Sequence, residues 1–237
     1  MRYSVSKSYH QVIARRWPHR VRHRHNLTYF RRKTHENHRH RRNRYGRLGH
    51  CHRGSLPGHE VISASRSARH AEGATQDVSL TLTDTQAVVD LINSSDATVI
   101  AVSAGRGESA QPIINAHRAL IAAAPAGRFV VVGGAGSLLT PDGARLVDSP
   151  DFPEEYKPEA LAFSEILDLY REAGSALSWT LLSPAPEFTN RPRTGTYIEG
   201  ADAPAGSEIS VADFAVALVD EAEKDSHRGR RWTIANA

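Results

Sequence analysis

The sequence contains a single cysteine, Cys51, among its 237 residues. One thiol excludes an internal disulfide framework and a metal site built from several thiolates. No apolar run approaches the roughly 18 residues of a membrane-spanning helix, and the first residues lack the apolar core of a secretory signal. We therefore expect a reduced, cytoplasmic setting, with neither a membrane nor a metal as a partner.

Acidic residues are almost absent from the first part of the chain. Residues 1–59 contain 16 basic residues, ten of the 13 histidines and one acidic residue, Glu36. Residues 60–237 contain 14 basic and 25 acidic residues. Such asymmetry is typical of a segment appended to a separate domain. We predict a basic, disordered or aberrant segment over residues 1–57 and a folded domain over 58–237, whose acidic charge makes nucleic-acid binding a poor expectation.

Short apolar runs alternate with helical periodicity from residue 60 onward. The runs predict strands at Glu60–Ser65, Asp77–Leu82, Ala97–Val102, Phe129–Val132, Leu177–Leu182 and Arg231–Ile234. The stretches between them predict helices at Gln86–Ile92, Pro112–Ala124, Pro158–Ala173 and Val211–Glu223. Alternation of this kind predicts an α/β fold with a doubly wound parallel sheet.

Single residues predict where several of these elements begin and end. Thr83-Asp84 before the first helix and Ser210 before the fourth are expected to cap the first turns, because their side chains can accept backbone hydrogen bonds there. Gly174 is expected to end a helix, and Pro184 is expected to stop the strand before it.

Small or polar residues follow four of the predicted strands. They are Arg66, Ser103, Gly133 and Ser183. In open α/β sheets, ligands bind beyond the carboxyl ends of the strands. Glycine and serine also end many strands for structural reasons, but four such ends in one sheet favour a ligand site.

Five segments occur in unbroken order along the domain. They are VVVGGAGSL (130–138), LVDSPDFPEEYKPEAL (146–161), WTLLSPAPEF (179–188), RTGTY (193–197) and ISVADFAVALVDEAEK (209–224). Together they resemble the NAD(P)H-binding, NmrA-like branch of the atypical short-chain dehydrogenases/reductases, whose relatives include biliverdin and flavin reductases. The resemblance covers about residues 58–237.

The resemblance implies a Rossmann-like fold and a nicotinamide cofactor, but two functions stay open because the branch includes both kinds of protein. One is an NADP-dependent reductase of a small carbonyl or conjugated substrate. The other is a non-catalytic redox sensor that binds NADP(H) and a partner protein. A homodimer is compatible with both.

Eleven residues are expected to bind the cofactor. They are Gly46, Gly49, Ser65, Arg66, Asp77, Ser103, Ala104, Gly133, Gly134, Ser183 and Pro184. After the second strand of such folds, an acidic residue binds the ribose 2′-hydroxyl, whereas arginine accommodates a 2′-phosphate. Arg66 holds that position, Arg69 follows, and no acidic residue lies between Glu60 and Glu72. This favours NADP over NAD; a solvated surface arginine is the alternative.

The catalytic residues are less clearly marked. Short-chain dehydrogenases commonly pair a tyrosine acid with a lysine four residues later. Here Lys157 directly follows Tyr156, and position 160 is alanine, so that spacing is absent. We expect Tyr156 and Lys157 to contact the substrate or the ribose; surface residues at a helix start are the alternative.

Further polar residues precede or follow the predicted elements. Arg193 and Tyr197 lie in a loop where substrates bind in this architecture, and Arg193 is expected to hold an anionic group unless the segment is a simple turn. Acidic residues before the third helix, Asp148, Asp151 and Glu154, offer a general acid pair or serve the helix dipole. None of His70, His117 and His227 belongs to a recognisable catalytic motif.

The first strand and glycine turn of the resembled family are missing. The family pattern V-I-G-A-T-G-x-x-G belongs before residue 58, where its glycines let backbone amides reach the cofactor pyrophosphate at a helix N-terminus. The chain has no apolar strand over residues 34–58, and Gly46 and Gly49 match the pattern only faintly.

The codons of this segment suggest an explanation. Shifted by one base, codons for His35–Gly46 permit Met, then Arg or Lys, then Ile-Thr-Val-Ile-Gly-Ala-Thr-Gly, and the codons from Leu48 through Arg53 and into the next one permit Ser-Gly-Thr-Ala-Ile-Val-Glu. Our hypothesis is that residues 1 to about 56 are translated in a shifted frame. The alternatives are a nucleic-acid-binding arm, an organelle transit peptide and a histidine metal site that uses His23, His25, His38 and His40.

Overall fold

The computed structural model describes residues 26–32, 59–68, 70–71, 73–103 and 109–237, with the backbone alone for residues 26–32 and His59. The strands in these ranges are β1 (Asn26–Arg32), β2 (His59–Ser65), β3 (Gln76–Ser79), β4 (Ala97–Ala101), β5 (Phe129–Val132), β6 (Trp179–Pro184), β7 (Glu187–Thr189), β8 (Ile198–Gly200), β9 (Glu208–Ser210) and β10 (Arg230–Ala235). The α-helices are α1 (Thr85–Ser94), α2 (Gln111–Ala122), α3 (Lys157–Ala173) and α4 (Val211–Lys224).

Eight of these strands form one sheet in the order β3-β2-β1-β4-β5-β6-β10-β8. Neighbours pair in parallel from β4 through β5 and β6 to β10, and β2 is parallel to β3. Strands β2 and β4 both pair antiparallel with β1, so they run in the same direction as each other. Strand β8 is antiparallel to β10. The predicted α/β fold, a Rossmann-like doubly wound sheet, is therefore confirmed, with β1 and β8 as the two reversed strands.

Strand β1 belongs to the basic segment, which the sequence predicts to be disordered or aberrant and therefore to pack poorly. Its backbone pairs with β2 on one side and with β4 on the other. For these seven residues the expectation is wrong. The physical reason is that β2 and β4 each present a row of backbone donors and acceptors to the gap between them, and a strand of either direction satisfies these groups.

Two apolar cores lie on the two faces of the sheet. One contains side chains of α1, α2 and α3, such as Leu120 and Ile166, packed against Phe129. The other contains side chains of α4, such as Phe214, packed with Trp232. Within the part of the chain that the structure describes, three helices cover one face and one helix covers the other. Strand β5 is buried on both faces, which explains its unbroken apolar run.

Helix ends follow the sequence signals in two cases and depart from them in a third. Helix α3 ends at Gly174, whose φ of 57° lies in the left-handed region. Ser210 caps α4, because its Oγ accepts a hydrogen bond from the Asp213 amide at 3.0 Å. Asp84 precedes α1 as expected, but its carboxylate accepts the amide of Thr81 at 3.0 Å instead of a helix amide. The predicted capping bond of Asp84 is therefore wrong.

The strand after α3 starts and ends two residues later than predicted. Strand β6 includes Pro184, which pairs with Ile234 of β10. The strand stops at Pro184 as expected, but it includes the proline, which is accepted as the last residue of the strand because a missing N–H there interrupts little of the ladder. The three-residue strands β7, β8 and β9 carry no sequence signal of their own.

Candidate functional site

Strands β2, β3, β4, β5, β6 and β10 all end on the same side of the sheet, which we call the carboxyl edge. Arg66 directly follows β2, Ser103 follows β4 and Gly133 follows β5, while Ser183 lies in the last two residues of β6. The fold thus brings the four predicted strand-end residues to one edge, where ligands of open α/β sheets bind.

A loop of small residues follows β5 and lies against α3. A Cβ atom placed on Gly133 would lie 2.4 Å from Leu181 Cδ2, and one on Gly136 would lie 2.6 Å from the Cβ of Ala160. Both distances are shorter than real Cβ contacts, so a side chain at Gly133 would displace the end of Leu181 and one at Gly136 would collide with the short side chain of Ala160. A Cβ on Gly134 would lie 3.4 Å from that of Phe163. The loop therefore presents bare backbone at the carboxyl edge, a surface suited to a flat ring.

The hydroxyl of Ser183 is buried and unsatisfied. Its Oγ has no hydrogen-bond partner in the ranges that the structure describes, and a Cβ on Gly133 would lie 3.4 Å from it. A buried polar atom without a partner is uncommon and calls for an explanation such as a ligand or a bound water. Thr98 and Thr233 also have buried, unsatisfied hydroxyls, but Ser183 differs in lying next to Gly133 at the carboxyl edge.

Glu159 contributes a carboxylate to this site that the sequence analysis missed. It lies in the first turn of α3, and its Oε1 accepts a hydrogen bond from the hydroxyl of Ser103. The bond connects the end of β4 with the start of α3. The available signal was the glutamate of the YKPEAL segment, which sequence alone did not separate from ordinary helix-dipole acids.

Tyr156 and Lys157 lie where α3 begins, as expected from the sequence. Tyr156 is half-buried, whereas the Lys157 ammonium forms an ion pair with the carboxylate of Glu154. Lys157 is thus held by a neighbour within the same turn, and the role of the two residues in catalysis stays a prediction.

The predicted general acid pair does not form. Asp148 makes two hydrogen bonds to the Arg145 guanidinium, at 2.7 and 2.9 Å, and Glu154 pairs with Lys157. The hydrogen bonds from Arg145 lower the pKa of Asp148, whereas a general acid needs a raised pKa. Asp148 and Glu154 each have a cation of their own, which argues against the alternative of a general acid pair with Asp151.

At the end of β2, the backbone forms a turn that exposes Arg66. Ser79 Oγ donates to the Arg66 carbonyl at 2.9 Å, and the Ala68 amide donates to the carbonyl of Ser65. Asp77, which was expected to bind the cofactor, accepts the Ala71 amide at 3.0 Å and lies 2.9 Å from the Nδ1 of His70. Its carboxylate therefore orders the chain that follows Arg66, which gives it a structural task in addition to the predicted one.

The loop that carries the predicted substrate residues is attached to α4. Arg193 is exposed, and the amides of Thr194 and Gly195 donate to Asp213. The hydroxyl of Tyr197 donates to Asp220 at 3.0 Å. Burial and this hydrogen bond to the Asp220 carboxylate raise the pKa of Tyr197. The Tyr197 hydroxyl is thus engaged in a hydrogen bond to α4. Its role as a substrate residue stays a prediction.

Three predicted cofactor residues, Gly46, Gly49 and Ala104, lie outside the described residues, as does Arg69. The histidines proposed for a metal site also lie outside them. The direction of strand β1 can still be compared with the position expected for the glycine turn. It starts at the carboxyl edge, where Asn26 pairs with Ser65 and Ala101, and it ends beside His59 at the opposite edge. In the described ranges, no glycine turn leads from a strand to a helix between β2 and β4.

A dinucleotide fits the described residues at its two ends. Arg66 beside the end of β2 suits an adenosine phosphate, because guanidinium groups bind phosphate well. The Gly133–Gly134 backbone and the unsatisfied Ser183 hydroxyl suit the nicotinamide end. The described residues supply no amide cradle for the pyrophosphate between them. No helix among them is long and apolar enough to cross a membrane.

Comparison with known proteins agrees with this geometry. The sequence profile of the NAD(P)H-binding family matches residues 52–225. The uncharacterized protein YwnB of Bacillus subtilis (strain 168) is 38% identical over 191 residues, which are 76% of this chain and 88% of YwnB.

Two solved structures share the fold and part of the sequence. SP1627 of Streptococcus pneumoniae TIGR4, whose proposed activity is that of an NADH-flavin reductase, is 32% identical with a TM-score of 0.63, over 74% of this chain and 87% of that one. A proposed epimerase of Bacteroides thetaiotaomicron is 28% identical with a TM-score of 0.63, over 76% of this chain and 86% of that one.

Proposed function

Since this chain belongs to the NAD(P)H-binding family of Rossmann-fold proteins, we propose that it is an NADPH-dependent oxidoreductase that reduces a small carbonyl or conjugated compound. The observation that carries the proposal is the Ser183 hydroxyl, buried without a partner beside Gly133 at the carboxyl edge. A carboxamide or ring substituent at this position would satisfy the hydroxyl, and the glycine backbone leaves room for a ring.

The hydroxyl groups around Ser183 can orient a substrate by hydrogen bonding. When bound, NADPH supplies a hydride, and the substrate must also take up one proton. The Ser103 hydroxyl is held by the Glu159 carboxylate, which fixes its position at the end of β4. Tyr156, one turn before Glu159, offers a second hydroxyl at the same helix start. The Tyr156 phenol can donate a hydrogen bond to a carbonyl oxygen, whereas the Ser103 hydroxyl, whose proton goes to Glu159, can accept one from the substrate or the cofactor.

A preference for NADPH over NADH rests on Arg66. The side chain is exposed directly after β2, and no acidic residue lies near it along the strand end. The arginine guanidinium can donate two parallel hydrogen bonds to a 2′-phosphate. The 2′-hydroxyl of NADH carries no charge for the guanidinium to bind.

Flavins are the first substrates to test, because a related structure has a proposed NADH-flavin reductase activity. Purified full-length protein is mixed with NADPH or NADH and with flavins, quinones and aldehydes, and the loss of absorbance at 340 nm is followed. Steady oxidation of NADPH, faster than that of NADH, supports the proposal. Binding of NADPH without oxidation by any acceptor would instead identify the protein as a redox sensor.

The cofactor preference is tested with one matched pair of substitutions. Arg66→Gln is expected to lower the affinity for NADPH about tenfold, the loss of one charge-assisted contact, and to leave NADH unchanged. Arg118→Gln removes another exposed arginine, which pairs with Glu165 between α2 and α3. This variant should change the affinity for neither NADPH nor NADH. Equal losses for NADPH and NADH in the Arg66 variant would show that Arg66 does not select the cofactor.

A further inference from the structure

Asp213 is a buried carboxylate with an unusual number of hydrogen bonds. Its Oδ1 accepts the amides of Thr194 at 2.9 Å and of Gly195 at 2.8 Å. Its Oδ2 accepts the hydroxyls of Thr194 at 3.0 Å and of Ser210 at 2.7 Å, together with the Asn236 amide group at 2.8 Å. The residue itself is fully buried. A helix-dipole acid needs none of these bonds, so its role extends beyond α4.

The partners of Asp213 come from three different elements that meet at the carboxyl edge. Asn236 directly follows β10, whose neighbour β6 ends with Ser183 and Pro184. Ser210 is the N-cap of α4, and its amide donates to Asn236 Oδ1. Thr194 and Gly195 belong to the loop after β7. Asp213 therefore fastens this loop to the end of the sheet where the proposed site lies.

Gly195 lies at a tight turn directly after the amides that donate to Asp213. Its φ is 81°, in the left-handed region that side chains with a Cβ rarely adopt. This φ sets the direction of the chain after the Gly195 amide, so a side chain at this position would strain the turn next to the two amides that donate to Asp213. The pKa of Asp213 is lowered: burial alone would raise it, but hydrogen bonds from Gly195, Ser210, Asn236 and Thr194 outweigh burial.

Two arginines lie just before the fastened amides, and they differ in their partners. Arg191 forms an ion pair with Glu208. Arg193 forms no hydrogen bond or ion pair with any residue that the structure describes, and a Cβ placed on Gly195 would lie 4.0 Å from its Nε. Arg193 thus has an exposed, uncompensated guanidinium on a turn whose backbone is fixed by a buried carboxylate.

We infer that Asp213 is a positioning residue that holds Arg193 at the carboxyl edge to bind a phosphate or carboxylate group of the substrate. This inference rests on the proposed function and specifies its substrate class as anionic. Fixing the backbone on the C-terminal side of Arg193 lowers the entropy lost when its long side chain is ordered by an anion.

Binding of two flavins tests the anion-binding part without any turnover. FMN carries a phosphate and riboflavin does not, and quenching of flavin fluorescence measures the affinity of the full-length protein for each. Wild type should bind FMN more tightly than riboflavin. Arg193→Gln should weaken FMN about tenfold and leave riboflavin unchanged, whereas Arg191→Gln should affect neither. Equal affinity of the wild type for both flavins, or equal losses in the Arg193 variant, would overturn the inference.

Trypsin tests the part played by Asp213. The bond after Arg193 is a tryptic site, whereas the bond after Arg191 precedes Pro192 and resists cleavage. We expect slow cleavage after Arg193 in the wild type and rapid cleavage in Asp213→Asn, with weaker FMN binding and unchanged riboflavin binding. Gly195→Ala strains the exposed turn without touching the core, so it should give the same two changes even if the Asp213 variant fails to fold. Unchanged cleavage and FMN affinity in Gly195→Ala would show that the fixed turn does not position Arg193.

Activity separates this inference from the proposed function. If FMN is reduced, Arg193→Gln should raise its KM and leave kcat nearly unchanged, because the anion contact is equal in the ground and transition states. If no acceptor is reduced, the proposed activity fails, and the flavin-binding and trypsin results still decide whether Asp213 holds an anion-binding loop.

Discussion

The two halves of the sheet are built differently. From β4 through β5 and β6 to β10, parallel strands follow one another, and β5 and β6 are buried along their whole length. On the other side, β3 is only partly buried, and the strand between β2 and β4 comes from the basic segment and runs in reverse. The residues proposed for the nicotinamide end, Gly133 and Ser183, lie in the regular half. The other half contains the reversed strand, and the described residues on that side supply no glycine turn at the carboxyl edge.

We expect the largest effect on NADPH binding from restoring the shifted reading frame from codon 35, because this would replace the reversed strand of the sheet. The restored chain would have an apolar strand and a glycine turn whose amides bind the pyrophosphate, so we expect it to bind NADPH about a thousandfold more tightly, the value of several hydrogen bonds to a charged group. Titrations of NADPH fluorescence with both chains measure this.

A control for the restored chain uses the original sequence. Gly46 and Gly49 were expected to bind the cofactor, but the frame hypothesis predicts that Gly46→Ala with Gly49→Ala leaves the NADPH affinity of the original chain unchanged. If the two chains bind equally, or if the double substitution weakens binding, the basic segment forms a working phosphate loop and the frame hypothesis loses its support.

The stability of the two halves should differ as well. Leu181 in β6 is almost completely buried and packs beside Gly133, so Leu181→Ala should lower the free energy of unfolding by about 3 kcal/mol. Val78 in β3 is half-buried, and Val78→Ala should cost about 1 kcal/mol or less. Urea unfolding of both variants measures the difference; equal losses would show that β3 is as firmly packed as the centre of the sheet.

A buried histidine, His117 in α2, predicts that the free energy of unfolding depends on pH. His117 Nδ1 lies 2.8 Å from the Tyr170 hydroxyl, and burial lowers the pKa of His117 to about 3. An unfolded histidine takes up its proton near pH 6.5. Between pH 3 and pH 6.5, the unfolded state therefore binds more protons than the folded state. As a consequence, the free energy of unfolding falls as the pH falls below 6.5.

Replacing both partners should remove this pH dependence. Between pH 7 and pH 5 we expect the wild type to lose about 2 kcal/mol more than His117→Phe/Tyr170→Phe, measured by urea unfolding at both pH values. Tyr170→Phe alone is the control, because it keeps the histidine and should keep the pH dependence. The same loss in all three proteins would mean that His117 becomes protonated in the folded state.

The smallest effect on stability is expected at Ser183. Because its buried hydroxyl has no described partner, Ser183→Ala should leave the free energy of unfolding unchanged or raise it by up to about 1 kcal/mol. The comparison is Ser164→Ala in α3, which loses a hydrogen bond to the Ala160 carbonyl at 2.8 Å. Thermal unfolding measures both. A Ser183 variant that is the less stable of the two would show that the hydroxyl is satisfied in the free protein.

Elements with strong local signals were predictable from the sequence. The apolar runs of β4 and β5, the cap at Ser210 and the stop at Gly174 each depend on neighbours along the chain, and the structure confirms them. The short strands β7 and β9 depend on each other across about 20 residues. Their three residues carry too little periodicity for a sequence pattern to detect.

The missed site residues share a physical reason. Glu159 binds Ser103 and Asp213 binds Thr194, Gly195 and Asn236, partners that are distant in sequence. Both acids lie in the first turn of a helix, where an acidic residue already has a local explanation in the helix dipole. Only the folded chain shows that their carboxylates act on other elements.

Strand β1 also has a consequence for aggregation. Without a strand in its place, β2 and β4 would each present an open edge, and exposed edges with apolar sequences such as ATVIA of β4 pair readily with other chains. Because β1 pairs with both neighbours, it closes both edges together. Loss of the first 32 residues by proteolysis would therefore be followed by self-association of the remaining chain, whatever its effect on cofactor binding.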